Sequence, residues 1–170
     1  MERIPEILEH LEEEVKQAQR HWEQQVQYIE TTIIKARLKE VKTKIEFNSE
    51  GIIITYLRSS YITESHRFKL AIYTEEPFVD DPIYHTYLNM SVLYQETNQQ
   101  LEAFTKKLNP KFYRILPYEV EEIRRHYILQ LYQNSHLFLE QALEGMTNED
   151  PTIPIYFGEE MGSLQKIGAI

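Results

Sequence analysis

The densest group of side chains that could do chemistry lies between positions 75 and 85. Glu75, Glu76, Asp80 and Asp81, followed by His85, place four carboxylates and one imidazole in a stretch that contains no Lys or Arg. Oxygen-rich groups of this kind hold Mg²⁺, Mn²⁺ or Ca²⁺, so the loop is a candidate metal site and would make the protein a divalent-metal enzyme. The spacing is not the alternating acidic pattern of an EF-hand loop. The plainer account is structural. Asp81-Pro82 reads as a helix cap followed by proline in the first turn, and acidic residues before a helix satisfy its free NH groups.

A second candidate is basic. Lys42 and Lys44 alternate with Val41, Ile45 and Phe47, and Arg67 and Lys69 alternate with Phe68 and Leu70. Alternation in two neighbouring strands would put Lys42, Lys44, Arg67 and Lys69 side by side on one polar sheet face, with Val41, Ile45, Phe68 and Leu70 buried behind it. Such a face suits a polyanion or single-stranded nucleic acid. Lysines on exposed strands are also ordinary solubilising groups that guard edges, and this account is preferred. A formal net charge of −9 argues against general nucleic-acid affinity. The average conceals blocks: residues 31–74 carry eight Lys or Arg against four Glu, whereas residues 75–105 carry six Asp or Glu and no Lys or Arg.

Other chemistries lack their residues. The absence of Cys excludes disulfides, thiolate zinc sites, iron–sulfur clusters and cysteine nucleophiles, and points to a reducing compartment. None of the six His sits in HExxH or three residues after a Glu. Four of the five Gly lie at or beyond position 145, which removes phosphate-cradling loops of the P-loop and Rossmann kinds. The first residues, Met1-Glu2-Arg3-Ile4-Pro5-Glu6, lack the basic and apolar regions of a signal peptide and the apolar runs are short, so neither export nor membrane spanning is expected. The expectation is a cytoplasmic, non-enzymatic chain with no cofactor and no membrane partner.

The elements that would position these groups follow from periodicity. Leu8, Leu11, Val15, Ala18, Trp22, Val26, Ile29 and Ile33 recur at steps of three and four, predicting one helix over 5–38, ~50 Å long. Strands are expected within 41–73: Val41 to Phe47, a turn at Asn48-Ser49-Glu50-Gly51, then Ile52 to Leu57 and Arg67 to Tyr73, forming a three-stranded antiparallel meander. A helix over 82–108 follows, with a competing reading in which Tyr84, Thr86, Leu88, Met90, Val92 and Tyr94 face one way on a fourth strand before a shorter helix from about Glu96. The last helix is expected over 118–144, ending at Gly145. Residues 146–170, beginning Asn148-Glu149-Asp150-Pro151, read as an irregular tail from which Ile153, Ile155 and Phe157 dock as an extended edge.

The fold expected is therefore α+β, a single domain over 1–145 with a long N-terminal helix, the meander and two long C-terminal helices. That order of elements is shared by many small bacterial and phage adaptor, chaperone and inhibitor proteins. A helix that overhangs its own domain needs a cover. The seam Leu8, Leu11, Val15, Trp22, Val26 and Ile29 predicts self-association, a homodimer, in a protein–protein interaction module that also engages a second, unidentified protein. Twelve Tyr suit such a role, since a tyrosine has one apolar and one wet end.

Overall fold

A computed structural model describes residues 3–46, 48–144, 146 and 153–170. Phe47, Gly145 and Asn148-Glu149-Asp150-Pro151, all used above, lie outside the described residues.

The first helix is broken. α1 spans Arg3–Val26 and α2 spans Thr32–Lys42, joined by a turn in which Tyr28 N donates to Gln25 O and Ile29 N to Val26 O. The apolar stripe continues through the break, which is why periodicity reads it as one helix. Past Val26 a straight helix would leave the domain. The turn instead brings Ile34, Leu38 and Val41 back onto the core and leaves Ile33 73% exposed. The carbonyl of Gln27, freed by the break, accepts from Gln141 Nε2 at 2.9 Å. The strand expected at 41–47 is absent: Val41 and Lys42 end α2, and residues 43–46 are turn and irregular chain. Four alternating residues suit a helix as well, because Leu38, Val41 and Ile45 are also spaced three and four apart.

β1 (Gly51–Tyr56) and β2 (Arg67–Tyr73) form where expected, flanking a short α3 (Arg58–Ile62). The helix over 82–108 is corrected to β3 (Tyr84–Asn89), a 3-10 turn at Ser91–Tyr94, and α4 (Thr97–Leu108); the competing reading had the strand and the shorter helix, but its strand ends at Asn89 and Val92 and Tyr94 belong to the 3-10 turn. The free edge of β2 decides the matter. Pairing β3 against it satisfies backbone groups that a helix there would leave unpaired, and Tyr84, Thr86 and Leu88 take the register of Ile72, Leu70 and Phe68.

The C-terminal helix is divided into α5 (Pro117–Asn134) and α6 (His136–Glu144). At the junction the buried Ser135 hydroxyl donates to Leu131 O at 2.9 Å and lies 2.5 Å from the Tyr94 hydroxyl. A serine returning to the carbonyl four residues back bends a helix, and Tyr94 anchors the bend.

The largest correction concerns the tail. Residues Pro154–Glu159 form β4 and Leu164–Ala169 form β5, so the sheet has five strands in the order β3-β2-β1-β4-β5 and is mixed, not a three-stranded antiparallel meander. β1 and β4 run parallel, with Ile52 beside Ile155 and Ile54 beside Phe157, while the other neighbours are antiparallel. Pro and Gly made this stretch look irregular, yet both fit. Pro154 opens its strand, where no ladder donor is needed. At Gly158 a Cβ would stand 2.1 Å from Ser163 O, so the β4–β5 hairpin closes only over a glycine.

Every helix that reaches the sheet packs on one face. Ile52, Ile54, Phe68, Leu70, Ile72, Ile155 and Phe157 join the buried side chains of α1, α2, α4, α5 and α6 in one core. No helix of the described residues is long and apolar enough to cross a membrane.

Candidate functional site

Among the described residues, the opposite face of the sheet carries no helix. Its buried centre is a second, smaller cluster of Ile53, Ala71 and Tyr73, against which Phe78, Tyr156 and Leu164 pack half-buried. Alternation places these groups there. Ile52 and Ile54 point to the helices, so Ile53 points away, and the register sets His85, Ala71, Ile53, Tyr156 and Lys166 in one row across all five strands. The neighbouring row runs Tyr87, Lys69, Thr55, Gly158 and Leu164. Tyr87 is 43% exposed, and its ring meets His85 edge-on at 6.0 Å. The loop between β2 and β3 reaches over this face, where Phe78 meets Tyr73 edge-on at 6.1 Å.

Under the edge of that loop is a hollow of about 460 Å³. Its lining is Ile53, Pro77, Tyr156 and Leu164 together with the carboxylates Glu50, Glu75 and Glu76. All three Glu are exposed, and none has a side-chain hydrogen bond or ion pair within the described residues. Elsewhere carboxylates are engaged: Glu14 with Lys107, Glu40 with Arg37, Glu64 with Arg124, and Glu159 with Arg58.

The sequence-derived candidates fare unevenly. Glu75 and Glu76 line the hollow, Asp80 and Asp81 are exposed further along the loop, and His85 belongs to β3 beside Tyr87. Among the described residues no three His, Asp or Glu side chains converge as metal ligands would. Arg67 and Lys69 share the helix-free face, as alternation requires, with Phe68 and Leu70 buried behind them. Lys42 and Lys44 do not join them, because Lys42 ends a helix and Lys44 follows it in a turn. Lys69 is bound to Glu160 at 3.2 Å. Burial pulls its ammonium down, but that bond and the nearby Tyr73 and Glu160 hold it above its ordinary value.

The seam of α1 lies inside the chain. Leu11, Val15, Trp22 and Val26 are buried with Ile7 and Ala18, and Leu8 and Ile29 pack half-buried against the same core. α4 and α5 cover it. Trp22 donates its indole NH to Leu93 O at 2.7 Å, and Gln19 donates to Gln130 of α5 at 2.8 Å. The apolar stripe that called for a second copy is thus satisfied by helices of the same chain.

A further concavity of about 410 Å³ sits at the carboxyl ends of the parallel strands β1 and β4, lined by Tyr56, Gln133, His136, Glu159 and Ser163 among others. Burial, then the charge of Glu159, pushes the Tyr56 phenol above its usual value. Glu159 is held by Arg58, and His136 Nδ1 is 2.7 Å from Gln133 O. Within the described residues no hydrogen bond joins His136, Glu159 and Ser163, the pairing on which acid–base or nucleophilic chemistry is built.

Between the two layers, His66 Nδ1 shares a hydrogen bond of 2.8 Å with the Tyr132 hydroxyl, and its ring stacks on Tyr94 at 4.6 Å. Burial lowers the His66 pKa, against the raising charge of Glu64 and with that of Arg124.

Periodicity missed the hollow because it is assembled from residues 50–53, 75–77 and 156–164. One signal was present: Ile52-Ile53-Ile54 is apolar on both faces, which means that the face away from the helices is not plain solvent-facing strand.

Comparison with family models, with curated proteins and with solved structures finds no match. Fold and surface together define the class: an α+β domain whose described helices pack on one face of the sheet, the other face carrying a small aromatic cluster.

Proposed function

We propose that this chain is a non-enzymatic protein–protein interaction module whose contact surface is the helix-free face of its sheet. The observation that carries the reading is that Ile53, Ala71 and Tyr73 form a cluster with Phe78, Tyr156 and Leu164 to which no helix contributes. Tyr87 and His85 extend it to one edge. Ile53, Ala71 and Tyr73 are themselves buried, so the surface offered to a partner is the half-buried Phe78, Tyr156 and Leu164 with the exposed Tyr87 and His85. Aromatic and apolar groups bordered by charge are the composition of a binding patch, since aromatic rings bury much area and keep a polar end wet. Arg67, Lys69 and Lys166 supply a charged rim on the same face. The cysteine-free composition suits the reducing cytoplasm.

The reading moves the contact from the α1 seam to the sheet. Capture of partners from the source cell with immobilised protein tests it. Wild type and Tyr113→Ser, a change at a 98% exposed tyrosine outside the sheet, should retain the same bound protein. Tyr87→Ser combined with Tyr156→Ser should lose it while the melting temperature shows a folded chain. Equal capture by all three proteins would remove the sheet face from the account.

A further inference from the structure

We propose that the hollow beside Ile53 receives a lysine or arginine side chain from a segment of the partner that carries apolar residues on either side of it. This deepens the reading of the helix-free face and rests on it.

Carboxylates alone would be no more than a solvated rim. What distinguishes Glu50, Glu75 and Glu76 is their position around an apolar floor of Ile53, Pro77, Tyr156 and Leu164 in a recess of about 460 Å³. The recess has charge of one sign. Glu50 comes from the turn before β1 and Glu75 and Glu76 from the loop after β2, two segments that β1–β2 pairing holds together through Glu50 N donating to Tyr73 O at 2.9 Å. The chain supplies no cation to any of the three within the described residues. None of the three cations of this face lines the recess: Lys69 is bound to Glu160, Arg67 is at the start of β2, and Lys166 is the cross-strand neighbour of Tyr156.

An apolar floor under an uncompensated acidic rim matches the two-part chemistry of a long basic side chain. Its methylene stem lies on apolar surface while its head stays with carboxylates and water. The half-buried Tyr156 ring in the floor adds a π face to which a cation is attracted. Apolar neighbours in the partner segment would meet the rest of the cluster, Leu164 and Phe78. An anionic or purely hydrophilic segment would leave one half of the recess unmatched.

The test uses three capped octapeptides of alternating sequence, valine–lysine, serine–lysine and valine–glutamate, titrated into the full-length protein and followed by NMR. Valine–lysine should bind and shift the resonances of Ile53, Tyr156 and Leu164. Its affinity should fall at least tenfold in the Glu50→Gln, Glu75→Gln, Glu76→Gln variant, whose exposed substitutions leave folding intact. Serine–lysine should bind more weakly and valine–glutamate should not bind. Equal binding of the two lysine peptides, unchanged affinity of the triple variant, or shifts confined to other surfaces would overturn the proposal. The captured partner separates this claim from the one beneath it. Loss with the tyrosine variants but full retention by the triple glutamine variant would reject the basic side chain and keep the face, whereas retention by both would reject both.

Discussion

Replacing Leu11 by alanine asks whether the α1 seam is the chain's own core. Leu11 is 1% exposed and is the second residue of a buried line running from Ile7 to Val26. The substitution removes three carbons from a site with no solvent access. At roughly 0.8 kcal/mol per buried methylene the transfer loss is about 2.4 kcal/mol, and the cavity left behind brings the total to about 3 kcal/mol. For a domain of this size that is roughly 6–12 °C in melting temperature, or about 1.5 M in the urea midpoint at a slope of about 2 kcal/mol per M. Ile33 is the control. It falls on the same stripe by spacing but is 73% exposed after the break, so Ile33→Ala should change stability by less than about 0.5 kcal/mol. Urea unfolding of the three proteins at several concentrations is the assay. A loss below about 0.5 kcal/mol for Leu11→Ala, equal losses at both positions, or a midpoint that rises with protein concentration would refute the intramolecular seam.

His66 gives a pH dependence with a definite sign. Burial lowers its folded pKa below the ordinary value near 6.5, so its contribution is complete above about pH 6.5 and is lost as pH falls through the folded value. The wild-type urea midpoint should therefore fall more between pH 7.5 and 5 than that of His66→Gln, and parallel midpoints would contradict the assignment. Gly158→Ala tests the C-terminal hairpin: a Cβ there meets Ser163 O at 2.1 Å, which should destabilise the chain by about 1–3 kcal/mol or more. An unchanged melting temperature would mean that β4 and β5 do not close as described.

Much of the core was legible residue by residue, while its wiring was not. The stripe of α1 was identified correctly because i, i+3 and i+4 spacing reports burial whatever does the burying. It says nothing about which surface covers it, and the cover came from α4 and α5, helices the sequence also offered. The breaks at residues 27–31 and at Ser135 do not disturb periodicity, because they are fixed by tertiary partners: Gln141 takes the freed Gln27 carbonyl, and Tyr94 holds Ser135. β3 was visible as an alternative since the segment offers Tyr84, Thr86 and Leu88 at period two as well as Ile83, Tyr87 and Met90 at steps of three and four, and the free edge of β2 decided between them. The tail was misread because Pro and Gly signal irregular chain locally, whereas Pro154 and Gly158 are the residues a strand start and a tight hairpin require. Of the basic and acidic candidates, the neighbours that stay together are Arg67 with Lys69 on β2 and Glu75 with Glu76 at the hollow.

The most direct measurement on the central claim is site-specific photocrosslinking in the source cell, with benzoylphenylalanine placed in turn at Tyr87, His85 and Tyr113. The first two are exposed on the helix-free face, and the third is exposed outside the sheet. The account predicts one discrete adduct of the same mass from positions 85 and 87 and none from 113. An adduct from 113 with no product from the two sheet positions would place the partner elsewhere and contradict the account.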